Sequence, residues 1–209
     1  MKKFSITCFI ATFILAFTVF TPSSQASSVP FTDLKNGSDV YNAVSELYND
    51  SIVFGITNTK YYPNQDATRA ETAQMIVNAL GWEDEKSTNP GFIDVKGNKY
   101  EKAIYILANK GVVNVATKFN PNGKLTRSQI AKMLTIAFDL EESTSKTSKF
   151  TDVKNAETIK YVNTLVENEI TKGRTATLYG PNDNLNRGQL AIFLQRGMSH
   201  LDFKIISIE

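Results

Sequence analysis

The four residues Thr68-Arg69-Ala70-Glu71 constrain this chain more than any other stretch, because they occur three times. They return as Thr126-Arg127-Ser128-Gln129 and, weakened, as Asn186-Arg187-Gly188-Gln189. A proline stands six residues before each arginine (Pro63, Pro121, Pro181), and an asparagine follows each proline (Asn64, Asn122, Asn182). Thr or Asn followed three residues later by Glu or Gln is a capping box. The first side chain accepts from an early helix N–H, and the other reaches back to the cap's own N–H. Each copy is therefore predicted to start a helix. The arginine takes the first helical position, where the helix dipole disfavours a cation by about 0.3–1 kcal/mol. Three placements against that preference point to function: a guanidinium beside free N–H groups at a helix start suits an anion. The structural alternative is an arginine paired with a neighbouring carboxylate, and surface ion pairs are common and weak.

The boxes belong to a longer repeat. Each unit opens with an aromatic, one residue and Asp: Phe31-Thr32-Asp33-Leu34, Phe92-Ile93-Asp94-Val95 and Phe150-Thr151-Asp152-Val153. An apolar stripe at helical spacing follows: Ala43, Val44, Leu47 and Ile52; Ala103, Ile104, Leu107 and Val112; Tyr161, Val162, Leu165 and Ile170. A helix this short is marginal alone, so its stripe must be buried against other repeats. A loop carries Gly55 and Gly173 at matching places, with Val115 in the second repeat. It ends in Tyr61, Phe119 or Tyr179, whose rings are expected to plug the loop onto the core. Pro-Asn then marks a turn before the box. In the second helix Ala73, Ala131 and Ala191 recur four positions after the arginine, and Ile76, Leu134 and Leu194 seven positions after it. Small alanines there suit close helix packing.

The expected fold class is all-α: three helix-loop-helix repeats, with residues 27–88, 89–146 and 147–209 as the units. Equal polar linkers and three similar repeats favour closure about a pseudo-threefold axis over an open solenoid, whose end repeats are usually atypical. The tail from Leu201 to Glu209 reads equally as a short strand or a helix end.

Residues 1–26 read as a signal peptide: Lys2 and Lys3, an apolar run from Phe4 to Phe20, and Ser24-Gln25-Ala26 at the cleavage end. The sole cysteine, Cys8, lies inside this segment, so the expected mature chain is exported without disulfides. The full chain has 23 Lys+Arg against 21 Asp+Glu; removing the two leader lysines balances the charges, which argues against nucleic acid. No membrane span is expected in the mature chain.

Together these features resemble the S-layer homology (SLH) module. The residues that carry the resemblance are Phe92-x-Asp94-Val95, Gly111-Val112, Phe119-x-Pro121 and Thr126-Arg127-Ser128-Gln129, repeated over about residues 31–200. The resemblance implies a three-pronged helical domain of a Gram-positive-type bacterial cell envelope or S-layer. It implies non-covalent attachment to a pyruvylated secondary cell wall polymer linked to peptidoglycan, with no cofactor. It further implies that the box arginines Arg69, Arg127 and Arg187 read the ketal carboxylate in grooves between repeats, where arginine offers two parallel donors. The family also places an aromatic early in the first helix against sugar. Tyr41 and Tyr100 fall close to that position, and Gly55 and Gly173 are further possible sugar contacts. The third repeat departs most from the pattern. Burial of Arg69 and Arg127 in the core with no cleft beside them would exclude this reading.

Two other readings stay open at this point. One is an exported α-helical adaptor that binds other envelope proteins without sugar recognition. The other is a wall hydrolase, which the residues support least. His200 is the single histidine and suits a surface position, and no His/Cys cluster offers zinc ligands. Asn182-x-Asn184-x-Asn186 imitates a calcium loop, yet Arg187 holds the glycine position and Phe193 that of the bidentate Glu. The chain is therefore expected to be non-catalytic and to hold no metal. Trp82 is expected to pack, and Asp33, Asp94 and Asp152 are expected to organise turns.

Overall fold

The computed structural model describes residues 29–206. The expected signal peptide at 1–26 lies outside the described residues. In chain order the helices are α1 (Asp39–Asn49), α2 (Arg69–Ala79), α3 (Glu101–Asn109), α4 (Arg127–Ala137), α5 (Ala156–Glu167) and α6 (Arg187–Ile206). The described residues form no strands, only isolated bridges, so the expected all-α class holds. None of these helices is long and apolar enough to cross a membrane.

The boxes set the helix starts. Thr68 and Thr126 take extended backbone angles and exchange both capping bonds with Glu71 and Gln129. Asn186 and Gln189 do the same: the Gln189 N–H donates to Asn186 Oδ1 at 2.8 Å, and the Asn186 N–H to Gln189 Oε1 at 3.3 Å. The first helix of each repeat ends in a left-handed residue: Ser51 (φ 62°), Gly111 (φ 73°) and Glu169 (φ 56°). The next N–H, from Ile52, Val112 or Ile170, then returns to Leu47, Leu107 or Leu165 at 2.8–2.9 Å. This turn drives each of these β-branched side chains into the core. Only Gly111 avoids the Cβ clash of that geometry.

Each first helix is too short to stand alone, and it finds its partner in a neighbouring repeat. The packed pairs are α2 with α3, α4 with α5, and α6 with α1. Val44, Leu47, Ile104, Leu107, Val162 and Leu165 are almost completely buried, and each contributes about 1.5–3 kcal/mol by leaving water. Ala73, Ala131 and Ala191 are fully buried, as their recurrence suggested. Linkers strap the next repeat's first helix: Glu85 pairs with Lys110 at 2.9 Å and Glu142 with Lys160 at 2.9 Å.

At the centre three backbone bonds form a ring. The Ala67 N–H donates to Leu185 O (2.8 Å), the Leu125 N–H to Ala67 O (3.0 Å) and the Leu185 N–H to Leu125 O (2.8 Å). The third repeat thus bonds back to the first, which closes the chain of repeats and excludes an open row.

Each loop is held by its own repeat's opening motif. Asp33 accepts from the Tyr61 and Tyr62 N–H groups, Asp94 from Phe119 and Asn120, and Asp152 from Tyr179 and Gly180, all at 2.7–3.0 Å. Burial alone would raise these carboxyls, but the paired backbone donors hold all three below the ordinary value of 3.8. The opening ring packs on the loop ring with 5.6 Å between centroids in every repeat (Phe31–Tyr61, Phe92–Phe119, Phe150–Tyr179).

Candidate ligand-binding site at the repeat junctions

Each box arginine crosses to the next repeat. Arg69 Nε donates to Phe119 O at 2.8 Å, Arg127 Nε to Tyr179 O at 2.8 Å and Arg187 Nε to Tyr61 O at 2.9 Å. The guanidiniums lie 4.4–4.6 Å from the centroids of the same three rings. Arginine therefore serves as the cross-link of the ring, a role its neighbours in sequence do not disclose.

The helix starts themselves are not free for an anion. The Arg69, Arg127 and Arg187 N–H groups donate to Gly123, Asp183 and Gln65 carbonyls at 2.9–3.0 Å. The next N–H of each helix donates to Pro121, Pro181 or Pro63 at 2.9–3.0 Å. The capping side chain takes the third. This corrects the expectation of open N–H donors beside the arginine: the neighbouring repeat's proline turn already fills them. Any ligand contact must come from the guanidinium.

The three junctions differ in what surrounds that guanidinium. Arg187 is 0% exposed, and each of its nitrogens has an acceptor. Besides Tyr61 O, its Nη1 pairs with Glu71 Oε1 at 2.8 Å and its Nη2 donates to Phe54 O at 2.6 Å. Tyr61 Oη donates back to Arg187 O at 3.2 Å, and burial pushes its phenol up to about 12. Here the structural alternative, an arginine paired with a carboxylate, is what the fold contains. Arg187, expected among the ligand-binding residues, is fully buried, and each of its three nitrogens already donates to a protein acceptor.

Arg127 is 5% exposed, but its situation is different. Tyr179 Oη returns a bond to Arg127 O at 2.9 Å, yet among the described residues no acceptor meets the Arg127 Nη atoms. Arg127 lines a cleft of about 240 Å³ with Asn64, Asp66, Arg174, Asp183, Asn184, Asn186 and Gln189. The acids in this cleft have other partners: Asp183 pairs with Arg174, and Asp66 with Lys124 (2.6 Å) and Asn184 (3.1 Å). Burial lowers the Arg127 guanidinium from its ordinary value, with the Tyr179 phenol, Asp183 and Asp152 acting against that and Arg174 with it. It remains a cation, because arginine does not lose its proton in proteins.

Arg69 is half-buried, and among the described residues its Nη atoms also meet no acceptor. Its partner Phe119 has no hydroxyl to return a bond. Burial lowers this guanidinium too, and Asp94 acts against the shift.

The other sequence-stretch candidates are distributed unevenly. Tyr100 caps α3 and stacks on Phe54 at 5.7 Å, with Lys99 Nζ 5.0 Å from its ring centroid. Phe54 is also the residue whose carbonyl accepts from Arg187 Nη2, so Tyr100 lies toward the Glu71–Arg187 pair. Tyr41 sits half-buried in the first turn of α1, which packs on α6 at the closed Arg187 junction. A Cβ on Gly55 would lie 2.5 Å from Phe31 Cε1, and one on Gly173 2.3 Å from Phe150 Cε1, so both glycines admit the opening ring. Trp82 packs on the core with Lys110 Nζ 4.4 Å from its ring centroid. His200 lines a separate polar cleft with Glu169, Lys172 and Arg196. The sequence reading missed Glu71, Gln189, Arg174 and Asp183 as parts of the junctions. One signal was available: the fourth residue of the box is acidic only in the first repeat.

Comparison with known proteins agrees with this architecture. The S-layer homology domain family matches residues 30–73, 91–131 and 149–191. Among similar proteins, the Surface-layer 125 kDa protein of Lysinibacillus sphaericus is 34% identical over 171 residues, covering 77% of this chain and 14% of the relative. The S-layer protein of Bacillus thuringiensis subsp. finitimus is 27% identical, covering 80% and 21% respectively. An Endoglucanase of Bacillus sp. (strain KSM-635) is 28% identical, covering 89% and 20%. The chain thus spans about a fifth or less of these relatives. With three matched repeats closed into one ring, the chain belongs to the S-layer homology domain family.

Proposed function

We propose that this chain is a non-catalytic anchoring module of the bacterial cell surface, holding non-covalently to a secondary cell wall polymer linked to peptidoglycan. The pyruvyl-ketal carboxylate of that polymer is read by Arg127 and, at the more open junction, Arg69; Arg187 serves the fold. The observation that carries this is the Arg127 guanidinium. Its Nε is fixed on Tyr179 O, while its two Nη groups face a polar cleft whose acids are already paired. A carboxylate taking both outer donors gains two charge-assisted bonds in a desolvated setting. Tyr100, stacked on Phe54 at the start of α3, is the aromatic that this reading assigns to a sugar face. Further support comes from the relatives: the shared segment is a small part of proteins named as surface-layer proteins and as an endoglucanase, which suits a binding module joined to different cargo.

The test is co-sedimentation of the protein lacking residues 1–26 with purified walls, before and after chemical removal of the secondary polymer. Binding is expected to intact walls and to be lost on stripped ones. Arg127→Ala is expected to weaken binding at least about tenfold, the equivalent of roughly 1.4 kcal/mol. Equal sedimentation with stripped walls would overturn the assignment.

A further inference from the structure

Within the proposed polymer-binding role, on which this inference rests, the Arg187 and Arg127 junctions differ in the functional group that the box sets beside the guanidinium. In the capping box the fourth residue spends one side-chain atom on the cap: Glu71 Oε2 accepts from the Thr68 N–H, Gln129 Oε1 from Thr126 and Gln189 Oε1 from Asn186. The other atom faces the junction. In the first repeat that atom is Glu71 Oε1, a carboxylate oxygen on Arg187 Nη1. In the third repeat the corresponding atom is the Gln189 Nε2 amide, and Gln189 lines the same cleft as Arg127. An amide nitrogen cannot accept from a guanidinium. Gln189 therefore offers an amide donor where Glu71 offers an acceptor, and Arg127 lacks the carboxylate partner that its counterpart Arg187 has.

We propose that the last residue of the four-residue box decides whether a junction takes an external carboxylate, and that Gln189 is the specificity-determining residue that keeps the Arg127 junction open to one. Glu71 is the internal form of the ligand. It occupies the outer donor of Arg187 as a ligand carboxylate would occupy that of Arg127, and it seals the junction. The external carboxylate completes the same clasp from outside, so ligand and junction stability are coupled: a group that binds only the folded state stabilises it by mass action. The ligand class is a carboxylate borne on a sugar. A pyruvyl ketal and a uronic acid share that chemistry and differ in where the charge projects from the ring.

The experiment uses the protein lacking residues 1–26 and two probes, a pyruvylated monosaccharide and a uronic acid monosaccharide, with titration calorimetry and thermal melting. For the unaltered protein, binding and a rise in Tm are expected with the pyruvylated probe. Gln189→Glu is expected to raise Tm without ligand, and to lower the Arg127-dependent affinity at least tenfold. Gln189→Ala keeps the position neutral and is expected to lose less affinity than Gln189→Glu. Loss of binding in Gln189→Ala equal to that in Gln189→Glu would overturn the proposal, as would a Gln189→Glu protein that melts lower or binds normally. Arg127→Ala separates the two levels. If it abolishes binding while Gln189→Glu does not, the role of Gln189 fails and the polymer reading survives. If Arg127→Ala binds both probes like the unaltered protein, the polymer reading itself fails. Stronger binding of the uronic acid would keep the role of Gln189 and reassign the sugar.

Discussion

The Arg187 and Arg127 junctions are built from the same motif and have opposite properties. Both arginines donate Nε to an aromatic residue's carbonyl, and both receive a tyrosine hydroxyl on their own carbonyl. At Arg187 the remaining donors end on Glu71 and Phe54 O, and the site is shut. At Arg127 they end in a cleft. The Arg69 junction extends the series, with a phenylalanine in place of tyrosine and a half-buried guanidinium. Repetition thus supplies three copies of a cross-link. Loss of one carboxylate converts a cross-link into a place where a charge needs a partner. A buried charge cannot remain unpaired cheaply, and this difference separates structure from recognition.

The largest effect that can break this comparison is on stability. Removing one member of a buried ion pair strands the other, at a cost of about 3–5 kcal/mol. Arg187→Ala or Glu71→Ala is expected to cost that much in urea unfolding. Arg127→Ala removes one neutral-acceptor bond and is expected to cost about 1–2 kcal/mol. Equal losses at the two positions would mean that the junctions are energetically alike.

A smaller effect concerns the loop clamps that aim each aromatic carbonyl at its arginine. The Asp152 carboxyl lies below its ordinary value of 3.8 because the Tyr179 and Gly180 donors outweigh the cost of its burial. A carboxyl lowered in the folded state adds stability that is present above the unfolded value and lost as pH falls through the folded one. Asp152→Asn is expected to cost about 1 kcal/mol at neutral pH, with the cost vanishing as the pH falls through the lowered folded value, read as convergence of the two acid-unfolding curves. Curves that stay parallel into acid would remove the carboxylate from the clamp.

The smallest effect tests backbone strain away from the junctions. Glu169 holds φ 56° where the second repeat has Gly111. Glu169→Gly is expected to gain about 0.5 kcal/mol, the relief of the left-handed Cβ contact minus the unfolded-chain entropy of glycine. Wall binding should be unchanged. A loss of stability would show that the Glu169 side chain makes up for its backbone.

The helices were legible because their signals are local. Thr68, Thr126 and Asn186 announce α2, α4 and α6 through bonds that span three residues, and the stripes led by Leu47, Leu107 and Leu165 identify the buried faces by period alone. The identity of the arginines as special was legible too, from their recurrence. Their partners were not. Phe119, Tyr179 and Tyr61 offer backbone carbonyls, which no side-chain pattern encodes, and they come from another repeat. The open helix starts expected at the boxes were closed by Pro121, Pro181 and Pro63, which the sequence presented only as turns.

By itself, the sequence determined six helices, the starting residues of the three that follow the boxes, and three equivalent cations placed at those helix mouths, because capping and periodicity act within a few residues. Only the tertiary structure decided which cation is used up in the fold. That outcome depends on Glu71 lying in a repeat distant in sequence from Arg187, and on a ring closure that brings the last repeat against the first. Pairing, burial and the residual charge at Arg127 follow from that closure, and no local rule contains it.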